Sequence, residues 1–390
     1  MRWPWAKKIE KRENDPSWAA LIPGGTTAGL PVSPGNAETI STVFSCVQSI
    51  AETIGGLPLL VYRQQENGDR VRASDHPLYS VLHDAPNARQ TALEFREQLT
   101  AHVLLWGNGY AQIQSDAAGN VTALEPIHPQ SVTVLKLPSG RVRYDVADPL
   151  TGKVTRLLED EVLHLKDRTD NGLVGKSRIQ VAREMLGGVL ASQEHGNRAW
   201  ANGARLSGVL QTDNVMTDES VGRLRESWER QFTGLGNTGK TAILENGLKY
   251  QQLSMSNEDA QWLESRQFSV EEVCRIFRVP PVLVADLRHA NFSNSVEMNR
   301  WFVTHTLRRW LTMWEESCER ALLGPIARKR YFVEHNVEGL LRGDSTNRAA
   351  FYQAGISAGW LLKSEARTLE NLPAIEGIDD AVETQEADAA

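Results

Sequence analysis

Apolar residues recur every three to four positions through several long stretches of this chain and every second position through one central region, which predicts helices on either side of a strand-rich domain. Ile40, Val43, Phe44, Val47 and Ile50 mark one face of a helix over 39–53, which Gly55 and Gly56 are expected to end before a strand at 57–63. Thr91 and Glu94 stand at capping-box spacing before a second helix, 91–106. From Gly109 the period falls to two, and six short strands are predicted over 110–114, 121–125, 132–137, 142–146, 154–158 and 162–165. Turns fall at Gly119 with Asn120 and at Ser139 with Gly140.

Further on, a long helix is predicted over 179–202, a strand over 207–211, a helix over 217–232 and a hairpin of 240–244 and 248–253 about Asn246 and Gly247. The stretch 256–323 organises the rest. Ser256 with Asp259 caps a helix on which Trp262, Leu263, Val270, Val273, Cys274 and Phe277 recur about once per turn, and Pro280 and Pro281 stop it. Ser269 with Glu272 repeats the capping pattern inside that helix and leaves a kink or restart open there. A polar loop ends in Arg288, His289, Asn291 and Ser293, and Asn294 with Glu297 caps a longer helix. Its Val303, Leu307, Trp310, Trp314, Cys318 and Ala321 form one stripe of the kind normally buried. A strand over 329–334 and helices over 344–354 and 364–370 follow. Residues 1–36 carry prolines and glycines without a period and read as an arm mobile in isolation, and 371–390 is acidic with no basic residue and reads as disordered or solvated. The fold class is α+β.

At 390 residues, with 41% hydrophobic and 23% charged content, the chain has material for two or three cored domains. A net charge of −7 argues against a surface that grips nucleic acid tightly overall, because phosphate contacts need lysine and arginine. Cys46, Cys274 and Cys318 are far apart and read as small buried residues of a reduced compartment. No stretch reads as a signal peptide or membrane span.

Gly234 to Thr241 spells the phosphate-loop pattern G-x-x-x-x-G-K-[ST]. That chemistry needs a buried strand before the loop and a helix after it, so that helix-start amides cradle phosphate. Here an amphipathic helix with Leu224, Trp228 and Phe232 precedes, and a hairpin follows. Nucleotide binding is therefore not assigned. The nine histidines show no zinc-ligand spacing, His102 reads as a core histidine, and no catalytic residue, metal or cofactor is assigned.

Several segments in fixed order, 79–87, 104–113 with Trp106 to Tyr110, 161–166, 172–178, 207–213, 239–253, 268–281 and 293–301, carry a resemblance over most of the chain. It resembles the portal, or head-to-tail connector, proteins of tailed bacteriophages. The resemblance implies a portal fold: an α+β wing (37–177), stem helices (178–204 and 256–278), a small strand-helix-hairpin clip (205–255) and a tunnel loop (279–294). A long wing helix with return strand (295–343) and a helical crown (344–370) complete it, between a flexible arm (1–36) and an acidic disordered tail (371–390).

The same resemblance implies a ring of identical subunits, usually a dodecamer, around a channel for double-stranded DNA at one capsid vertex of the virion, made in the host bacterial cytoplasm. Implied partners are the terminase large subunit, the major capsid or scaffolding protein and a head-completion or tail adaptor protein, with no membrane. Arg288, His289, Asn291 and Asn294 are expected nearest the DNA, and Arg223, Arg230, Asn237 and Lys240 at the clip where partners dock. A stem mixing Glu184, Glu194, Glu264, Glu271 and Glu272 with Arg183, Arg198, Arg266 and Arg275 suits a wall along which DNA slides. The competing readings are a nucleotide-driven enzyme and an oligomeric scaffold or adaptor without a channel.

Overall fold

The computed structural model describes residues 25–66, 68–201, 208–212, 217–232, 249–252, 258–287, 298, 300–337, 345–369, 373, 375 and 377–379. Its first half runs α1 (Ser41–Gly56), β1 (Leu59–Gln64), β2 (Arg70–Arg72), α2 (Pro77–His83) and α3 (Ala92–Trp106). Six strands follow: β3 (Asn108–Ser115), β4 (Val121–Ile127), β5 (Val132–Lys136), β6 (Val142–Ala147), β7 (Val154–Leu158) and β8 (Val162–Lys166). All six expected strands are present, and they make two antiparallel sheets ordered β4-β3-β8 and β5-β6-β7. The whole is a mixed α+β fold.

Helix α3 is the pillar of this region. Its capping box is formed as expected, the Glu94 amide donating to Thr91 Oγ1 and the Thr91 amide to Glu94 Oε2 at 2.8 Å. Val43, Val47, Ile50 and Ile54 of α1 bury against Leu99, Val103 and Leu104 of α3 in one core. Gly55 and Gly56 end α1 as expected, as its last two residues. A Cβ at Gly55 would stand 3.1 Å from the Leu93 carbonyl oxygen, and the Gly55 carbonyl accepts the Arg96 guanidinium at 2.7 Å. Gly55 therefore also permits the close approach of two helices. The short elements α2 and β2 escaped the periodicity argument, as did the single helical turn Pro34–Ala37 capped by Ser33. His76 opens α2, its Nδ1 accepting from the Leu78 amide at 3.1 Å.

The second half holds a single turn, Arg178–Val181, then α4 (Arg183–Ala201), β9 (Gly208–Gln211), α5 (Asp218–Phe232), β10 (Lys249–Gln252) and α6 (Glu258–Phe277). The helix expected as one piece from 179 is thus interrupted at Ala182, whose backbone leaves helical geometry. Strand β10 pairs antiparallel with β9; residues 240–244 lie outside the described residues. Helix α6 runs unbroken through Ser269, so the second capping pattern starts nothing. Its end comes ahead of the prolines: Arg278 turns left-handed at φ 58° and the Val279 amide donates back to the Cys274 carbonyl at 3.0 Å. Pro280 and Pro281 then lead into the 3-10 turn Pro281–Val284.

The long tryptophan-bearing helix is not uniform. A π-helical stretch, Phe302–Leu307, precedes α7 (Arg308–Leu322). It turns Phe302, Thr306 and Leu307 all inward, and the expected stripe continues with Trp310, Trp314 and Cys318 buried. Val303 and Ala321 are half-buried. The chain then forms β11 (Tyr331–His335), α8 (Ser345–Ser357) and α9 (Lys363–Leu369).

Two compact units divide the chain, Met1–Gly56 with Val61–Val333, and Leu57–Leu60 with Glu334–Ala390. In the first, the Gln64 amide donates to the Arg330 carbonyl at 2.8 Å and Tyr62 stacks on Phe332 at 5.5 Å. In the second, Trp360 packs over Gly355 and meets Phe351 edge-on at 5.1 Å. There too the Ser364 amide donates to Asp379 Oδ1 at 3.0 Å.

Candidate functional site

The end of α3, the start of β3, the segment after β8, the base of α4 and the end of α6 converge on one junction. Gly107 closes α3 at φ 78°, so near the following chain that a Cβ on Gly175 would lie 2.1 Å from the Gly107 carbonyl oxygen. A Cβ on Gly107 would in turn lie 2.4 Å from the Lys176 carbonyl carbon. Glycine is therefore required on both sides. Asn108 fastens the contact: its Oδ1 accepts from the Gly175 amide at 2.7 Å and its Nδ2 donates to the Gly175 carbonyl at 3.0 Å. The same Oδ1 meets His164 Nε2 at 3.0 Å, and His164 Nδ1 meets the Tyr144 hydroxyl at 3.1 Å, which ties the two sheets into one polar chain. Burial, with Lys166 nearby, pushes His164 well below the ordinary histidine pKa, so the ring is neutral. Ser177 caps Arg178–Val181 and donates to the Leu105 carbonyl at 2.5 Å.

Asp167 is the charge at the centre. Its side chain is 4% exposed, and it receives Arg178 Nε at 2.7 Å and Arg309 Nη2 at 2.9 Å. Arg178 also donates through Nη1 to the Ile276 carbonyl at 2.8 Å, satisfying one of the carbonyls left open at the end of α6. Both guanidiniums lie over the Trp310 ring, at 4.9 Å for Arg178 and 4.7 Å for Arg309. Thr306, in the π-helical stretch, donates its hydroxyl to the Arg278 carbonyl. Burial lowers the Arg309 pKa; Asp167 opposes that shift, and Arg178 and Arg278 add to it. One carboxylate, two guanidiniums and one indole thus pin the bases of α4 and α6 to β8 and α7, with polar groups satisfied in directions that fix geometry.

Along the two helices that leave the junction, charges pair locally. On α4, Arg198 pairs with Glu194 and Arg183 lies 3.9 Å from Glu184. On α6, Arg275 holds Glu272 and, at 3.3 Å, Glu271. Their described lengths present no dense basic stripe.

Of the residues expected at the site, Arg288, His289, Asn291, Asn294, Asn237 and Lys240 lie outside the described residues. Arg223 and Arg230 are on α5, where Arg223 is exposed. Helix α5 directly precedes the phosphate-loop letters at 234–241, which themselves lie outside the described residues. Sequence reasoning missed Asp167, Arg178, Arg309 and Trp310 as a group. A partial signal existed: segments 104–113, 161–166, 172–178 and 268–281, which meet at this junction, carry the family resemblance, although only Arg178 of the four lies in them. Among the described residues, no group of three or more histidine, cysteine, aspartate or glutamate side chains is placed to hold a metal, and no helix is long and apolar enough to cross a membrane.

Comparison with known proteins decides the family. The phage portal protein profile matches residues 41–371, which include every residue of the junction. The chain belongs to the phage portal protein family. Relatives in this family include the portal protein of Enterobacteria phage HK97, 33% identical over 347 residues, 88% of this chain and 81% of that one. The probable portal protein of Streptomyces phage phiC31 is 30% identical over 379 residues, 93% of this chain and 82% of that one. Among solved structures, a chain from the neck of an empty GTA particle computed with C6 symmetry superposes with a TM-score of 0.61 at 26% identity, covering 85% of this chain and 90% of that one. The mixed α+β fold of helices and antiparallel sheets described above is thus a portal-like architecture.

Proposed function

We propose that this chain assembles into a closed ring, a dodecamer in the virion, whose axial channel conducts double-stranded DNA at one capsid vertex during packaging, retention and ejection. Membership of the portal family over residues 41–371 is the observation that carries this reading. The α+β region to residue 177 is the wing, α4 and α6 are the stem, 205–255 the clip, 279–294 the tunnel loop, α7 with β11 the return into the wing, and 344–370 the crown.

The junction around Asp167 supports the reading physically. A conduit needs stem helices held at a fixed angle to the wing while DNA moves past. A buried ion pair, a stacked indole and a glycine-to-backbone contact resist bending in that way. The locally paired charges of Arg198, Glu194, Arg275, Glu271 and Glu272 leave little net charge for phosphate to bind, which suits sliding. Closest approach to DNA is assigned to Arg288, His289, Asn291 and Asn294. Docking of the terminase large subunit is assigned to Arg223, Arg230, Asn237 and Lys240 of the clip. Capsid or scaffolding protein meets the wing, the tail adaptor joins after packaging, and ATP hydrolysis belongs to the terminase. Native mass spectrometry of the purified full-length chain tests the ring: one narrow oligomer series supports it, whereas an open-ended ladder of sizes favours a scaffold without a channel.

A further inference from the structure

Cys46 and Cys274 are separated by more than half the sequence yet meet where α1 packs on α6. Neither is in a disulfide, and they are 0% and 3% exposed. Each thiol is close enough to the other to shift its titration, Cys46 upward and Cys274 downward. Cys274 also lines a cavity of about 600 Å³ together with Arg275, Arg278, Val279, Pro280 and Trp301. That cavity gives a small polar reagent a path to one sulfur of the pair. The third cysteine, Cys318, is 0% exposed and packs near Arg96, so it serves as an internal control.

We infer that Cys46 and Cys274 are a paired dithiol that a peroxide converts to an intrachain disulfide, fastening α1 to the last turn of α6. Cys274 is the attacking sulfur. It is the one of the two that lines the cavity, and the neighbouring Cys46 thiol lowers its pKa by favouring the thiolate, while the Cys274 neighbour and burial raise that of Cys46. The Cys274 thiolate attacks one peroxide oxygen, the O–O bond breaks, and hydroxide leaves with the electron pair, taking up a proton as water. Cys46 then attacks the sulfenic sulfur, the S–S bond forms, the S–O bond breaks, and the departing hydroxide takes the Cys46 proton. Two thiols and one peroxide give one disulfide and two waters, each sulfur losing one electron.

The consequence lies in where the bond falls. It would cross from α1 to α6 four residues before Arg278, the left-handed residue at which α6 ends. The dithiol form suits folding in a reducing cytoplasm and the disulfide suits a particle released from it. This inference stands independently of the channel reading.

The test uses the full-length chain purified with reductant, desalted, treated with hydrogen peroxide, and alkylated with N-ethylmaleimide after denaturation. The expected product has lost two hydrogens, takes up one maleimide instead of three, and yields a Cys46–Cys274 linked peptide with Cys318 alkylated. Cys318→Ala is expected to behave like the parent, and Cys46→Ala and Cys274→Ala to give no intrachain bond. Three maleimides after peroxide, a disulfide involving Cys318, or a bond only between chains would overturn the inference. The parent protein decides the matter by itself, so a poorly folding variant does not block the test.

Discussion

Asp167 Oδ2 and Arg178 Nε face each other at 2.7 Å across the join between β8 and the base of α4, with Asp167 4% and Arg178 17% exposed. A pair buried to that degree contributes little over an apolar replacement but costs much when one partner is lost. Asp167→Asn is expected to destabilise the protein by about 3–5 kcal/mol, because it leaves two guanidiniums without their carboxylate. Arg309, 41% exposed, is more open to water, and Arg309→Ala should cost on the order of 1 kcal/mol or less. Urea unfolding followed by tryptophan fluorescence checks both, and equal losses for the two variants would contradict the assignment of Arg178 as the main partner.

Gly175 and Gly188 make a matched pair of opposite expectation. Gly175→Ala places a Cβ 2.1 Å from the Gly107 carbonyl oxygen and 2.8 Å from the Asp167 amide, where backbone must move. It should lose soluble expression or fall several-fold in recovery. Gly188, inside α4 with nothing within 4 Å of its added Cβ, should gain about 0.5–1 kcal/mol on replacement by alanine through helix propensity. Thermal melting of the two variants side by side reads the contrast.

His102 gives the fold an acid limit. Its ring packs edge-on to Trp106 at 5.8 Å and His128 at 5.2 Å, its Nδ1 has no partner, and burial with His128 nearby pushes its pKa down to about 4. The folded value is below the unfolded one of about 6.5, so as pH falls the unfolded chain binds this proton first. Stability is complete above about pH 6.5 and declines towards pH 4, by up to about 3 kcal/mol for this residue. His164 is lowered in the same direction, by burial and then Lys166, and steepens the decline. His102→Leu should flatten the slope of unfolding midpoint against pH; an unchanged slope would show that other groups set it.

The loop and clip assignments separate by phenotype. Alanine at Arg288, His289, Asn291 and Asn294 together should leave ring formation intact while reducing the DNA retained after packaging, measured as nuclease-protected DNA per particle. Lys240→Ala should leave the chain without altered nucleotide binding, because the purified parent is expected to bind none. A measurable ATP affinity abolished by that substitution would revive the enzyme reading.

Much of the fold was legible because its signals are local. The Thr91 and Glu94 capping box, the period-two run after Gly109 and the stripe from Leu307 to Cys318 each depend on neighbours within a few residues. The second role of Gly55 was hidden because a glycine that ends a helix and one that also lets a second helix approach look alike until the partner, here Leu93 and Arg96, is placed. The π-helical turn before Arg308 escaped because a one-residue widening barely disturbs apolar spacing. The junction was hidden for a different reason: Asp167, Arg178 and Arg309 become neighbours only through tertiary folding, and no local rule pairs them. Even so, Gly107, Asn108, Gly175 and Arg178 fall in segments whose order carried the family resemblance, whereas Asp167, Arg309 and Trp310 fall outside them.

The most direct test of the central claim is electron microscopy of the purified full-length chain at the concentration where it assembles, with averages viewed down the particle axis. The account predicts annular particles of a single subunit number with an open hole wide enough for a DNA duplex, about 20 Å or more. Solid or open-ended assemblies without an axial hole, formed by protein that is otherwise folded, would contradict it.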